Sequence, residues 1–304
     1  MDDRPLAQAN QAFKDGDWQT AVQRYEAIYQ TRPSAKINHL LARSLMSLGD
    51  AAYAFEVVLQ APDSYLSDAD HFQFLMTVVL ENDQLLMANQ IAATVTNSAM
   101  KQAANQQINM AEQHHRQQVG FQAAYQAFYQ LATESIAGQR ERYERGKQLP
   151  LKEWLTATQH LLVDPFVTPI IRVTLLQDLQ KLRFDKPVRF QWLIGEPREI
   201  VPSQLTDFDE QPTVRQVQER LLETLSRRGT DPGLLVALLE GEMVNLTLLY
   251  PFIDDVVTSP ERWVAAASQS LDGPSKTPGR PKAEDESMTA WRQKLAALTQ
   301  AMQS

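Results

Sequence analysis

The chain of 304 residues reads as a mainly α protein: a helical-repeat solenoid, then a helical domain carrying one small β-hairpin. Three observations predict this. Apolar residues recur at i, i+3 and i+4 along most of the chain, the spacing that gathers them on one face of a helix. Three short turn signals, Gly16-Asp17, Gly49-Asp50 and Asn82-Asp83, follow one another at intervals of 33 residues. Strict alternation, the mark of a half-buried strand, is convincing at one place only, where Val188, Phe190, Trp192 and Ile194 flank Arg189 and Gln191.

Each turn signal separates two helical patterns. Leu6, Ala9, Ala12 and Phe13 precede the first, and Trp18, Ala21, Val22, Tyr25, Ile28 and Tyr29 follow it as far as Pro33. Ile37, Leu40, Leu41, Leu45 and Leu48 precede the second; Tyr53, Ala54, Val57 and Val58 follow it before Pro62. Phe72, Leu75, Met76 and Val79 precede the third, and Leu85, Ala88, Ile91, Ala92 and Val95 come after. Gly or Asn at the turn supplies the left-handed backbone that ends a helix. The adjacent Asp is placed to cap the next helix, and the small Ala21 and Ala54 allow paired helices a close approach. The helical pattern continues from Ser98 to Lys147, with Phe121, Tyr125, Phe128 and Tyr129 expected on a buried face and the charged stretch 139–147 in solvent.

Gly16-Asp17-Trp18, Ala21, Tyr25 and Pro33 resemble the tetratricopeptide repeat, whose period is about 34 residues. The second unit matches in part, with its Pro early. The third departs further, with Asn82 in place of Gly and Met87 where the Ala stood. The resemblance implies a solenoid over residues 1–148 with the first helix of each pair lining a concave groove that takes a peptide or protein segment. On those helices Asn10, Lys14, Asn38, Arg43, Asp70 and Gln73 are the polar positions not spent on packing. Some repeat proteins of this class clamp a C-terminal carboxylate with Lys, Asn and Arg; here the third repeat offers only Asp70 and Gln73, which puts a full clamp in doubt.

Beyond Leu149-Pro150 a second helical domain is expected over 149–271, with the hairpin near 187–202 turning at Gly195-Glu196-Pro197. Asp231-Pro232 opens a helix, a cap followed by Pro at the first position, and Leu234 to Val257 is expected to be apolar and buried. Residues 272–287 read as a flexible linker. Residues 288–304 read as an amphipathic helix through Trp291, Leu295 and Leu298, expected to dock in the repeat groove or on a second copy as a homo-oligomer. Asp164-Pro165-Phe166-Val167, Ile200-Val201-Pro202-Ser203-Gln204-Leu205, Leu248-Leu249-Tyr250-Pro251-Phe252 and Glu261-Arg262-Trp263, in this order, resemble uncharacterised tetratricopeptide proteins of low-GC Gram-positive bacteria. That family brings no established reaction.

The net charge of −8 is the wrong sign for a surface that neutralises phosphates, so nucleic acid is not the expected partner. The chain contains no cysteine, which removes disulfides, thiolate metal sites and Cys nucleophiles. The start, Met1-Asp2-Asp3-Arg4-Pro5, lacks the pattern of a secretory signal. Glu240, Glu242 and Asp254-Asp255 break the longest apolar windows below the ~20 residues of a membrane helix. A cytoplasmic protein without membrane contact is expected. His114 and His115 are adjacent on a helix and diverge by about 100°, so with Glu112 they do not converge on a metal. No phosphate loop, nucleophile elbow or catalytic constellation is evident. The reading is a non-catalytic adaptor or scaffold without cofactor or metal. The alternatives are a peptide-sensing transcriptional regulator and an enzyme with its site in the second domain.

Overall fold

The computed structural model describes residues 4–269 and 283–303. Among these lie fifteen α-helices and one antiparallel pair of strands. The chain divides into two compact units, Met1–Phe128 with Glu144–Thr156, and Tyr129–Tyr143 with Ala157–Ser304.

The N-terminal unit begins with α1 (Arg4–Lys14), α2 (Trp18–Thr31), α3 (Ala35–Leu48) and α4 (Ala51–Leu59). A 3₁₀ turn over Pro62–Leu66 leads to α5 (Ala69–Glu81), α6 (Leu85–Thr94) and α7 (Ser98–Gln117). From α1 to α6 each helix packs on the next, and α7 covers α5 and α6. The helices α1 to α6 are no longer than 14 residues, too short to be stable alone in water, so each depends on burying one face against its neighbours. Ala9, Ala21, Ala42 and Ala54 are completely buried where the helices approach, and Tyr25, Leu41, Phe72 and Met76 fill the space between.

The first two turns are built as the spacing predicts. Gly16 (φ 75°) and Gly49 (φ 87°) take the left-handed conformation, while Asp17 and Asp50 accept hydrogen bonds from the backbone N–H of Thr20 and Tyr53. The third turn shifts by one residue. Asp83, not Asn82, carries the positive φ, at 56°, and Gln84, which precedes α6, makes no side-chain capping bond. Asn82 instead donates through Nδ2 to the carbonyls of Val78 (2.8 Å) and Ala51 (2.9 Å). Asn tolerates a role that Gly cannot perform: its amide pins this turn to the start of α4.

Further along, α8 spans Phe121–Tyr129, α9 Ile136–Gly146 and α10 Leu151–Leu161. Of the four aromatics expected on a buried face, only Phe128 is fully enclosed; Phe121 and Tyr125 are half-buried and Tyr129 is exposed. The charged stretch 139–147 is not wholly solvated either, since Gln139 and Tyr143 are buried. Glu112 on α7, nearly enclosed, accepts from the N–H of Leu151 (2.9 Å) and from Arg116 (3.2 Å). Arg116 reaches on to Glu153 with two bonds of 3.0 and 2.9 Å.

The second unit contains α11 (Pro169–Lys181), β1 (Val188–Phe190), β2 (Arg198–Ile200), α12 (Pro212–Arg227), α13 (Pro232–Leu249), α14 (Pro260–Gln269) and α15 (Ala283–Gln303). The strands pair Val188 with Ile200, Arg189 with Glu199 and Phe190 with Arg198. Val188, Phe190 and Trp192 are buried as alternation requires, but Ile194 lies past the strand and is exposed. Tyr250, which precedes a cis peptide to Pro251, donates to Gln180 Oε1 (2.7 Å) inside the core. Gln180 in turn donates to Leu205 O and Asp207.

The segment 234–257 is not uniformly buried. Leu234, Val236 and Val244 are exposed on α13, and 22% of this helix is buried. By length and composition α13 is apolar enough to cross a membrane, although Glu240 and Glu242 interrupt it. Glu242 is the buried one, at 4% exposure. Its carboxylate accepts two bonds from Arg292 of α15, at 3.1 and 3.0 Å, and a third from the indole N–H of Trp263 on α14. The Arg292 guanidinium also lies 4.9 Å above the Trp263 ring. The C-terminal helix therefore packs on α13 and α14 of its own unit, with Trp291 against Trp192 (5.3 Å between ring centres). Most of the linker expected at 272–287 lies outside the described residues; from Ala283 onward the chain is already helical.

Glu242→Ala leaves Arg292 without its carboxylate and Trp263 without its acceptor. Denaturant unfolding should show a loss of about 3–5 kcal/mol. Combining it with Arg292→Leu should recover part of that loss, because no stranded charge remains.

Candidate functional site

The N-terminal unit presents the side chains of α3 and α5 on a common face. The structure separates the six expected groove residues into two groups. Asn38 does not line a groove at all: it is completely buried. Its Nδ2 donates to Val57 O (2.6 Å) and Tyr29 Oη (3.1 Å), and its Oδ1 accepts from the Tyr65 hydroxyl (2.6 Å). Asn10 is half-buried and accepts from the hydroxyl of Tyr25 at 2.8 Å, so it is committed to the α1–α2 contact. The other four stay at the surface. Lys14 is exposed in the last turn of α1. Asp70 and Gln73 are exposed on α5, Asp70 in its first turn where a negative charge is favoured by the helix dipole. Arg43 is half-buried, its guanidinium 4.7 Å above the ring of Phe74.

Arg43 leads to a cluster that the spacing of polar residues does not reveal. Phe74 stacks on Tyr65 at 6.1 Å. Tyr65 lies 4.2 Å from the ring of His39, and His39 lies 4.1 Å from that of His71. His39 and Arg43 are one turn apart on α3, and His71 and Phe74 are three residues apart on α5, so both helices contribute from the same side. Asp68 caps α5 by accepting from the N–H of His71 (2.9 Å), and its second oxygen pairs with His71 Nδ1. The signal available in the sequence was the shared helical phase of His39 with Arg43 and of His71 with Phe74. An isolated histidine carries little weight without the partner that the fold brings to it.

Hydrogen-bond accounting assigns the tautomer of His39. Ser64 gives its one hydroxyl proton to Ala61 O at 2.6 Å, so toward His39 Nε2, 2.8 Å away, it accepts. Nε2 therefore carries the proton. A serine with its proton directed elsewhere, facing an imidazole N–H, is the reverse of a base-activated nucleophile. Burial, with the nearby His71 and Arg43, holds the His39 pKa below its ordinary value, and Asp68 opposes this only in part. Hydrogen bonds from the backbone and side chain of His71 hold Asp68 at about 2.

A search of family models, curated proteins and solved structures finds no match to this chain.

The geometry alone must therefore carry the reading. A cleft of about 610 Å3 lies between α1, α2 and α3, lined by the apolar Leu6, Ile28 and Ile37 and by Arg24, Arg32 and Lys36. His114 and His115 do not combine with Glu112. Their rings are perpendicular and 6.5 Å apart, His115 pairs with Asp83 at 3.0 Å, and Glu112 is directed to Leu151 and Arg116. Among the described residues no group of three or more His, Cys, Asp or Glu converges on a metal position. The face of α3 and α5 offers a cation on an aromatic ring, the half-buried imidazole of His71 and exposed polar side chains. Such a surface can hold a peptide by charge, stacking and hydrogen bonds.

Asn38→Ala strands the Tyr65 hydroxyl in the core and takes from the Val57 carbonyl the shorter of its two bonds, leaving it the N–H of Gln60. About 2–3 kcal/mol of stability should be lost on denaturant unfolding, several times the effect of Gln73→Ala. The His39 pKa is lowered on folding, so the unfolded chain binds the proton more readily as pH drops through about 6.5. The melting temperature should thus fall between pH 7 and pH 5, and His39→Gln should flatten that part of the profile. The contribution of Asp68 lies lower, and is lost only as pH falls below 3.8 toward about 2.

Proposed function

We propose that the chain is a non-catalytic binding module of tetratricopeptide type, in which α3 and α5 take a peptide segment of a protein partner. The recurrence of a left-handed glycine, a capping Asp and a small buried Ala at intervals of 33 residues supports the repeat reading. The observation that carries the binding reading is Arg43 over Phe74, half-buried beside His71. A guanidinium stacked on an aromatic ring is held in place while its donors stay available to a carboxylate. Arg24, Arg32 and Lys36 at the cleft add positive charge to the same unit. The cleft lining holds these three cations and no carboxylate, and that local excess favours an acidic peptide. The peptide could be a C-terminus or a segment bearing Asp and Glu.

Fluorescence anisotropy with a panel of acidic, neutral and basic peptides tests the proposal. Acidic members should bind, and Arg43→Glu should weaken them at least tenfold, about 1.4 kcal/mol. Equal affinity of wild type and Arg43→Glu would remove α3 and α5 from the site. A loss seen instead with Arg24→Glu and Arg32→Glu would move it to the cleft.

A further inference from the structure

Lys36 and Arg43 stand seven residues apart on α3, two turns of the helix, so they project from one side about 10 Å apart. Leu40, half-buried, lies between them on the same line, while Ile37, Leu41 and Leu45 turn to the core. Arg43 reaches the ring of Phe74 on α5. Lys36 lines the cleft of α1, α2 and α3 together with Arg24, Arg32 and the apolar Leu6 and Ile28. One strip of α3 therefore joins the Arg43 cluster to the cleft.

The cations along this strip are not neutralised within the chain. Among the described residues Arg32, Lys36 and Arg43 form no ion pair, and Arg24 donates to the neutral Gln8 Oε1. The unit pairs its cations elsewhere: Arg116 holds Glu112 and Glu153, and Lys147 holds Glu144. Like charges left close together repel, and the repulsion is relieved when carboxylates arrive from outside. Apolar surface completes the pattern. Leu6 and Ile28 are half-buried where they line the cleft, so an incoming aliphatic group covers surface that the chain leaves in water.

We propose that the acidic peptide is held at two points, with one carboxylate on Arg43 and a second, beside a large aliphatic side chain, at the cleft. Two-point binding rests on the peptide-binding function proposed above and adds the sequence selected. An extended chain covers about 10 Å in three residues, so the two acidic residues are three or four positions apart. The aliphatic neighbour of the second packs against Leu6 and Ile28.

Fluorescence anisotropy of the full chain with labelled glycine–serine peptides tests this. Each peptide carries two glutamates, from one to seven positions apart, with leucine or serine next to the second. Affinity should peak at a separation of three or four, about threefold above the extremes, the gain of one exposed ion pair. Serine in place of leucine should weaken binding about tenfold. The double variant Arg32→Gln/Lys36→Gln, at two exposed positions, should erase the optimum in spacing and keep the dependence on Arg43. Binding that needs Arg43 but ignores either the spacing or the leucine overturns two-point binding and leaves the peptide-binding function standing. No binding, or binding unaffected by Arg43→Glu, overturns that function and two-point binding with it.

Discussion

The N-terminal unit depends on one buried amide. Asn38 joins α2 through the half-buried Tyr29, α4 through Val57 and the following 3₁₀ turn through Tyr65, the last two inside the core. A buried amide is tolerated only when its donors and acceptor are paired. Satisfying it therefore fixes where three neighbouring elements stand. The aromatic stack over Arg43 follows from that placement, because Tyr65, held by Asn38, is the ring on which Phe74 and His39 rest. Structure and surface are coupled here through one hydroxyl.

The second unit solves the same problem with charge. Glu242 would be costly as an isolated buried carboxylate, and it is made tolerable by Arg292 and the indole of Trp263. Each partner comes from a different helix, so the carboxylate specifies how α13, α14 and α15 meet. The apolar residues of these helices supply most of the burial energy but little direction, since hydrophobic attraction is not directional. The polar pin supplies the direction.

Helices and their ends were largely legible in the sequence because their causes are local. Gly16, Gly49, Asp17, Asp50 and the Asp231-Pro232 start all act within a turn of their own position. The hairpin was legible for the same reason, down to the buried Val188, Phe190 and Trp192. The candidate surface was read less well. Asn38 looks like an exposed polar residue on a helix until Tyr29, Val57 and Tyr65 arrive from elsewhere in the chain. Glu242 looks like a break in an apolar run until Arg292 is placed beside it. In both cases the decisive partners are 9 to 50 residues away, and helical periodicity carries no information at that range. The third turn shows a finer version of the effect. Asn82 occupies the glycine position, but its side chain is drawn to Ala51, and the left-handed conformation passes to Asp83.

The pairing of Glu242 with Arg292 also imposes an order on biosynthesis. The carboxylate is made 50 residues before the guanidinium that neutralises it. A nascent chain that has completed α13 and α14 but not yet Arg292 cannot bury Glu242 at low cost, so these helices stay loosely associated with their carboxylate in water. Consolidation of the unit waits for the last helix, and a chain that stops short of Arg292 keeps the apolar face of α13 accessible to the quality-control machinery that recognises such surfaces.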